Sequence, residues 1–127
     1  MIALIAAVLI GGAAQAASPA RPAGTTRTDL QRHDLSIPGR EVVQLRVDFA
    51  PGASFPRHTH PGEEIIYVIE GSLEYEVAGN VVTVNAGGVL FVPAGIIHAA
   101  RNVGGVPAAE LGTYLVEKGK PLTEIVK

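Results

Sequence analysis

The sequence predicts an all-β fold, a small antiparallel β-barrel or jelly roll. Three observations carry that expectation. Short apolar or alternating segments recur at regular spacing, Gly and Pro punctuate them, and no convincing helix follows the apolar N-terminus. Taken in order, Met1 to Ile10 is nearly all apolar and Ala14-Gln15-Ala16 has the small-x-small form of a signal-peptidase site. Residues 1–17 are therefore expected to be a signal peptide, too short an apolar run to span a bilayer, which implies a periplasmic or secreted protein with no membrane attachment after cleavage. No Lys or Arg precedes the apolar run, a departure from the usual form. Residues 18–34 read as a flexible lead-in, rich in Pro, Ala, Gly and Thr at its start, and residues 35–127 as one folded domain.

Within that domain Glu41 to Phe49 alternates, with Val43, Leu45, Val47 and Phe49 on one face. Ala50-Pro51-Gly52 ends the strand. Glu63 to Glu70 is apolar on both faces after Glu64: Ile66 and Val68 share its side, and Ile65, Tyr67 and Ile69 oppose it. Such a strand needs a cover on its outer face, either a second sheet or another subunit, and a homodimer is the default expectation. Ser72 to Val77 and Val81 to Val84 form a hairpin across Ala78-Gly79-Asn80. Leu90 to Val92, His98 to Val103 and Glu110 to Glu117 complete the strands. Beyond the turn at Lys118-Gly119-Lys120-Pro121, Leu122 to Val126 is expected to pair with a neighbouring chain.

Composition removes several functions. Ten Lys and Arg against 12 Asp and Glu, with no basic run, exclude nucleic-acid binding as the main role. The absence of cysteine excludes disulfides, thiolate nucleophiles and thiolate ligands.

What remains is a constellation. His58 and His60 are one residue apart, so on an extended segment both imidazoles project from one face. Glu64 follows beyond a Pro61-Gly62 turn that can return its carboxylate toward them, and His98 comes later in the chain. Three neutral imidazoles and one carboxylate leave an M²⁺ site with net charge of about +1, and an octahedral ion would keep open positions for a substrate or O₂. A closed tetrahedral zinc site is the structural alternative. Imidazole and carboxylate suit Mn, Fe, Co, Ni, Cu and Zn alike, so the ligand set does not choose the divalent metal ion.

The surrounding residues go further. Gly52, His58, His60, Glu64 and Gly71 fill the first motif of the cupin superfamily, and Gly87, Pro93, Gly95, His98 and Asn102 fill the second. The chain resembles the small single-domain, quercetin-dioxygenase-like cupins. The resemblance implies a double-stranded β-helix barrel with His58, His60, Glu64 and His98 on one divalent metal. It also implies a small oxygenated organic substrate coordinated there, with Glu64 moving between ligand and proton acceptor. A cupin isomerase or lyase, or a non-catalytic carrier of metal or small ligand, are the alternatives. Gly71, Gly87, Pro93 and Gly95 are read as scaffold. Asn102 is expected to hydrogen-bond in a turn, Ile66, Val68 and Val47 or Phe49 to wall the pocket, and Tyr75, Tyr114 and Glu110 to be packing or surface residues or pocket acid–base groups. Arg57, Arg101 and His33 are expected at the surface, and Glu63 outside the ligand set.

Overall fold

The computed structural model describes residues 22–127, so the expected signal peptide lies outside the described residues. Ten strands follow one another: β1 Thr25–Asp34, β2 Arg40–Phe49, β3 Ser54–Thr59, β4 Gly62–Glu70, β5 Ser72–Val77, β6 Asn80–Asn85, β7 Val89–Val92, β8 His98–Arg101, β9 Ala108–Glu117 and β10 Glu124–Ile125. They form two five-stranded antiparallel sheets, ordered β1-β2-β9-β4-β7 and β10-β3-β8-β5-β6. Among the described residues there is no helix, and the fold is the expected jelly-roll barrel.

The alternation of β2 does what the sequence predicts. Val43, Leu45, Val47 and Phe49 point inward and meet the inner residues of β9 in register, Tyr114, Gly112, Glu110 and Ala108 respectively. On the other side of β9, Glu64, Ile66 and Val68 of β4 pair with the same Tyr114, Gly112 and Glu110. Leu73 and Tyr75 of β5 close the core from the second sheet and are essentially fully buried. The motif glycines act as scaffold. Gly71 adopts a φ of 67°, and a Cβ there would stand 2.6 Å from the Pro107 carbonyl oxygen, so no other residue fits that corner.

Two expectations change, and for a third, one of its two alternatives is absent among the described residues. Residues 25–34, expected in the lead-in, form a paired strand: β1 runs along β2, from Thr25 opposite Phe49 to Asp34 opposite Glu41. It satisfies backbone groups that β2 would otherwise leave at a bare sheet edge. Leu122 to Val126 pairs within its own chain. Glu124 and Ile125 lie opposite Thr59 and His58, and the Val126 N–H donates to the Arg57 carbonyl at 2.9 Å. The proline turn at Pro121 lets the chain double back onto the open edge of β3. Finally, no second layer among the described residues covers the outer face of β4. Ile65, Tyr67 and Ile69 are 43, 46 and 37% exposed, beside Val89 and Phe91 of β7.

Candidate metal centre

His58, His60, Glu64 and His98, brought from three strands and the β3–β4 corner, are all buried, and each offers one ligand atom within 4.8 Å of the others. The local cause on β3 is a bulge. Phe55 pairs with Ala100 and His58 with His98, so three steps on β3 match two on β8. The extra residue turns Phe55 and His58, which plain alternation would separate, toward the same cavity.

Each imidazole is locked by a backbone carbonyl. The His58 Nδ1–H donates to Pro56 O at 2.7 Å, the His60 Nδ1–H to Leu122 O at 2.7 Å and the His98 Nδ1–H to Ile96 O at 2.9 Å. A carbonyl only accepts, so Nδ1 carries a proton, and each ring in its neutral form presents the Nε2 lone pair to the centre. There His98 Nε2 lies 2.9 Å and His60 Nε2 3.2 Å from Glu64 Oε2. His60 Nε2 is buried and has no aligned hydrogen-bond partner. Lone pairs therefore converge on a carboxylate, an arrangement that a cation relieves. A divalent ion with bonds of about 2.0–2.2 Å, whose opposite ligands stand about 4 Å apart, fits that spread.

Burial, and after it the charge of His98, lowers the His58 imidazole to about 4, so it is a neutral donor at physiological pH. Burial pushes the Glu64 carboxyl up, but the His60 and His98 rings beside it, when they donate to it or carry charge, outweigh burial and hold it at about 2, ionised. Tyr114, whose phenol hydrogen-bonds Glu64, is lifted well above the usual range by burial and by that carboxylate, and remains a donor. Gly112 makes this contact possible, because a Cβ there would meet the Tyr114 hydroxyl at 2.8 Å and Glu64 Oε1 at 3.1 Å.

The four donors open onto a cavity of about 570 Å³. Leu45, Val47, Phe49, Ile66 and Phe55 form the apolar part of its wall, with Tyr75, Tyr114 and Glu110 among its polar groups. Val68 is fully buried but lies behind the wall. Thr25, Arg27 and Asp29 of β1 and Leu122, Thr123 and Ile125 of the C-terminal segment complete the lining. Sequence reasoning missed both of these chain-end contributions, because neither segment carries an apolar alternation. The remaining candidates stay outside. Arg57 and Arg101 pair with Glu76 and Glu74 on the outer surface, Glu63 lies opposite Leu115 away from the donors, and His33 is exposed beside Gln31. Asn102 is structural: its amide donates to Phe49 O at 3.2 Å and Val106 O at 2.7 Å, and its oxygen accepts from Gly104 N–H at 3.0 Å.

Residues 45–114, which hold the four donors, match the cupin domain family. This chain is a cupin. Germin-like protein 1-1 of Oryza sativa subsp. japonica is 39% identical to it over 102 residues, 73% of this cupin and 46% of the relative. Nectarin-1 of Nicotiana langsdorffii x Nicotiana sanderae is 37% identical over 90 residues, 61% of this cupin and 38% of its own length. The chain thus spans less than half the length of these curated relatives. Among solved structures, oxalate oxidase in complex with the substrate analogue glycolate superposes with a TM-score of 0.67 at 29% identity, over 88% of this cupin and 60% of the oxidase. An RmlC-like cupin from Shewanella frigidimarina shares the fold with a TM-score of 0.61 at 22% identity, over 76% of this cupin and 79% of the other.

Proposed function

We propose that this protein is an exported, metal-dependent cupin enzyme of dioxygenase-like type. In this reading one divalent ion is held by His58, His60, Glu64 and His98, and a small oxygenated organic substrate coordinates it. The observation that carries the reading is the convergence of three carbonyl-locked Nε2 lone pairs and one ionised carboxylate beside a cavity large enough for a small molecule. A divalent ion bound there supplies a Lewis acid for substrate oxygens and, where redox-active, electrons for dioxygen chemistry. The chain's own residues do the rest. The histidines hold position through Pro56, Ile96 and Leu122, and Glu64, steadied by the Tyr114 hydroxyl, serves both as ligand and as acceptor of a substrate proton. The apolar wall excludes water and strengthens electrostatic interactions inside. The glycolate complex of the related oxalate oxidase supports a small oxygen-rich ligand. The apolar N-terminal segment supports export to the periplasm or medium. Among the described residues no helix is long and apolar enough to cross a membrane.

The partner in this reading is a second copy of the chain. Ile65, Tyr67, Ile69, Val89 and Phe91 form a contiguous, partly exposed apolar face that a homodimer would cover. Sedimentation of the dilute protein as a monomer would refute that part.

The test of the metal reading is elemental analysis beside the His58→Ala, His60→Ala double variant. Near-stoichiometric Mn, Fe, Ni, Cu or Co, lost in the variant, is the expected result and directs assays to oxygen consumption. Stoichiometric Zn points to Lewis-acid chemistry, as in an isomerase or lyase, or to a structural ion. Protein that stays empty with every metal overturns the ligand assignment. The second reading is a non-catalytic carrier of metal or small ligand. It is favoured by how far β1 and the C-terminal segment cover the cavity, and stabilisation by ligands with no product formed would select it.

A further inference from the structure

The cavity has polar groups besides the four metal-type donors. Glu110 stands on the inner face of β9, four residues before Tyr114. Its cross-strand neighbours are Val47 of β2 and Val68 of β4, and its Oε2 accepts a hydrogen bond from the Tyr75 hydroxyl of the opposite sheet. Both residues are buried and both line the cavity. A carboxylate set between two valines is poorly solvated. Burial first, and then the charge of Glu64, pushes the Glu110 carboxyl up to about 8, although the Tyr75 contact acts in the opposite direction. Burial, and after it the Glu110 charge, holds the Tyr75 phenol far above its ordinary range, so it remains a donor. Nothing in the reading above uses either residue.

We propose that Glu110, positioned by Tyr75, is kept as a neutral carboxylic acid that donates a hydrogen bond to an oxygen of the cavity's ligand. With Oε2 taken by the Tyr75 hydroxyl, the acid proton sits on Oε1. The site is then bipolar: a chelating centre that takes oxygens with lone pairs, and a neutral donor that takes one more acceptor oxygen. Four residues of strand separate the Cα atoms of Glu110 and Tyr114 by about 13 Å, and apolar side chains enclose the space between. The ligand class that fits has a bidentate oxygen end, a body of one ring or a short chain, and a carbonyl, hydroxyl or carboxylate oxygen at the far end. This proposal rests on the metal reading and names the substrate class for that same site.

Tyr75 of β5, Glu64 of β4, Tyr114 of β9, and Arg27 with Asp29 of β1 are the charged and titratable groups that share the cavity with Glu110, along with His58 of β3, His60 of the β3–β4 corner and His98 of β8. All are unchanged in the variants used. The first measurement is infrared difference spectroscopy of wild type against Glu110→Gln, metal-free and zinc-loaded. A protonated carboxylic-acid carbonyl band at neutral pH is expected, absent in the variant, and in metal-free wild type lost as pH rises through about 8. The second is calorimetric binding of two catechol probes to zinc-loaded protein, protocatechualdehyde with a far carbonyl and para-methylcatechol without one. The aldehyde preference should fall roughly threefold to tenfold in Glu110→Ala, as expected for one hydrogen bond. It should persist in Glu110→Gln, whose amide is a donor at every pH. Comparing the ratio of the probes between proteins cancels their different intrinsic affinities for the metal. Absence of the band, or an unchanged probe ratio in Glu110→Ala, overturns the proposal. If no protein binds zinc or either probe while the band is present, the metal reading has failed and the ligand assignment falls with it. Elemental analysis distinguishes that outcome from a failure of Glu110 alone.

Discussion

Adding a single methyl group at Gly112 tests how tightly the centre is built. The residue lies on the inner face of β9 between Leu45 and Ile66, and its φ is not in the left-handed region, so alanine is acceptable to the backbone. In an ordinary strand the change would stabilise by about 0.5–1 kcal/mol, because alanine loses less chain entropy on folding. Here the new Cβ would stand 2.8 Å from the Tyr114 hydroxyl, 2.9 Å from its Cε2 and 3.1 Å from Glu64 Oε1. Tyr114 is 4% exposed, so the ring has little room to swing away. Overpacking of this kind costs about 1–3 kcal/mol, which outweighs the backbone gain. A net loss of about 1 kcal/mol lowers the melting temperature by roughly 4–8 °C for a domain of this size. Displacing the phenol also loosens the Glu64 carboxylate, and losses of metal-supporting hydrogen bonds typically cost about 10–100-fold in affinity. Thermal denaturation of the metal-free protein and chelator-competition titration would measure the two effects. Gly105→Ala is the control, because nothing lies within 4 Å of the added carbon. A Gly112→Ala protein that melts no lower than wild type and binds metal equally well would refute the argument.

Metal at a hundredfold excess over its Kd should stabilise the fold by about 2.7 kcal/mol, a melting shift on the order of 10 °C, absent in His58→Ala. In metal-free protein the buried His58 stays neutral down to about 4, whereas the unfolded chain protonates near 6.5. The unfolded state therefore binds more protons between those values, and stability is lost as pH falls from 6.5 to 4, on the order of 3 kcal/mol for this group. Glu110 has the opposite sign: the folded state keeps its proton up to about 8 and the unfolded state only to 4.5, so stability is lost as pH rises across that interval. Urea midpoints measured against pH should show that decline in wild type and lose it in Glu110→Gln. Asn102→Ala strands the Phe49 and Val106 carbonyls and the Gly104 N–H at the barrel's end, and calorimetry should record a loss of about 1–3 kcal/mol.

The barrel and its four donors were legible because both are written in local pattern. The alternation from Val43 to Phe49 survives as the inner face of β2, and the motif residues that place Glu64 and His98 carry their turns with them. What the sequence hid obeys other rules. Nine of the ten residues of β1 are exposed, so the strand exists to complete a sheet edge and shows no buried periodicity. The bulge that turns Phe55 and His58 to one side is a difference in register between two strands, invisible in either alone. The pairing of Leu122 to Val126 depends on which edge lies free nearby, and that edge belongs to β3 of the same chain. The polar pair of Glu110 and Tyr75 joins residues on different sheets, so alternation could place each inward but could not show that they meet.

The carbonyl that fixes His60 belongs to Leu122, 62 residues away in sequence and just before the last strand. Metal affinity and docking of the C-terminal segment therefore share one free energy, and linkage makes the exchange reciprocal. Whatever the docked segment adds to metal binding, bound metal returns to the segment. The Val126 N–H, held on the Arg57 carbonyl, is a natural reporter of this, and its hydrogen exchange should slow when the ion binds. The Leu122 to Val126 segment would then report occupancy, and whatever pulled it from β3 would weaken the hold on the ion, by about 10–100-fold, without touching a ligand.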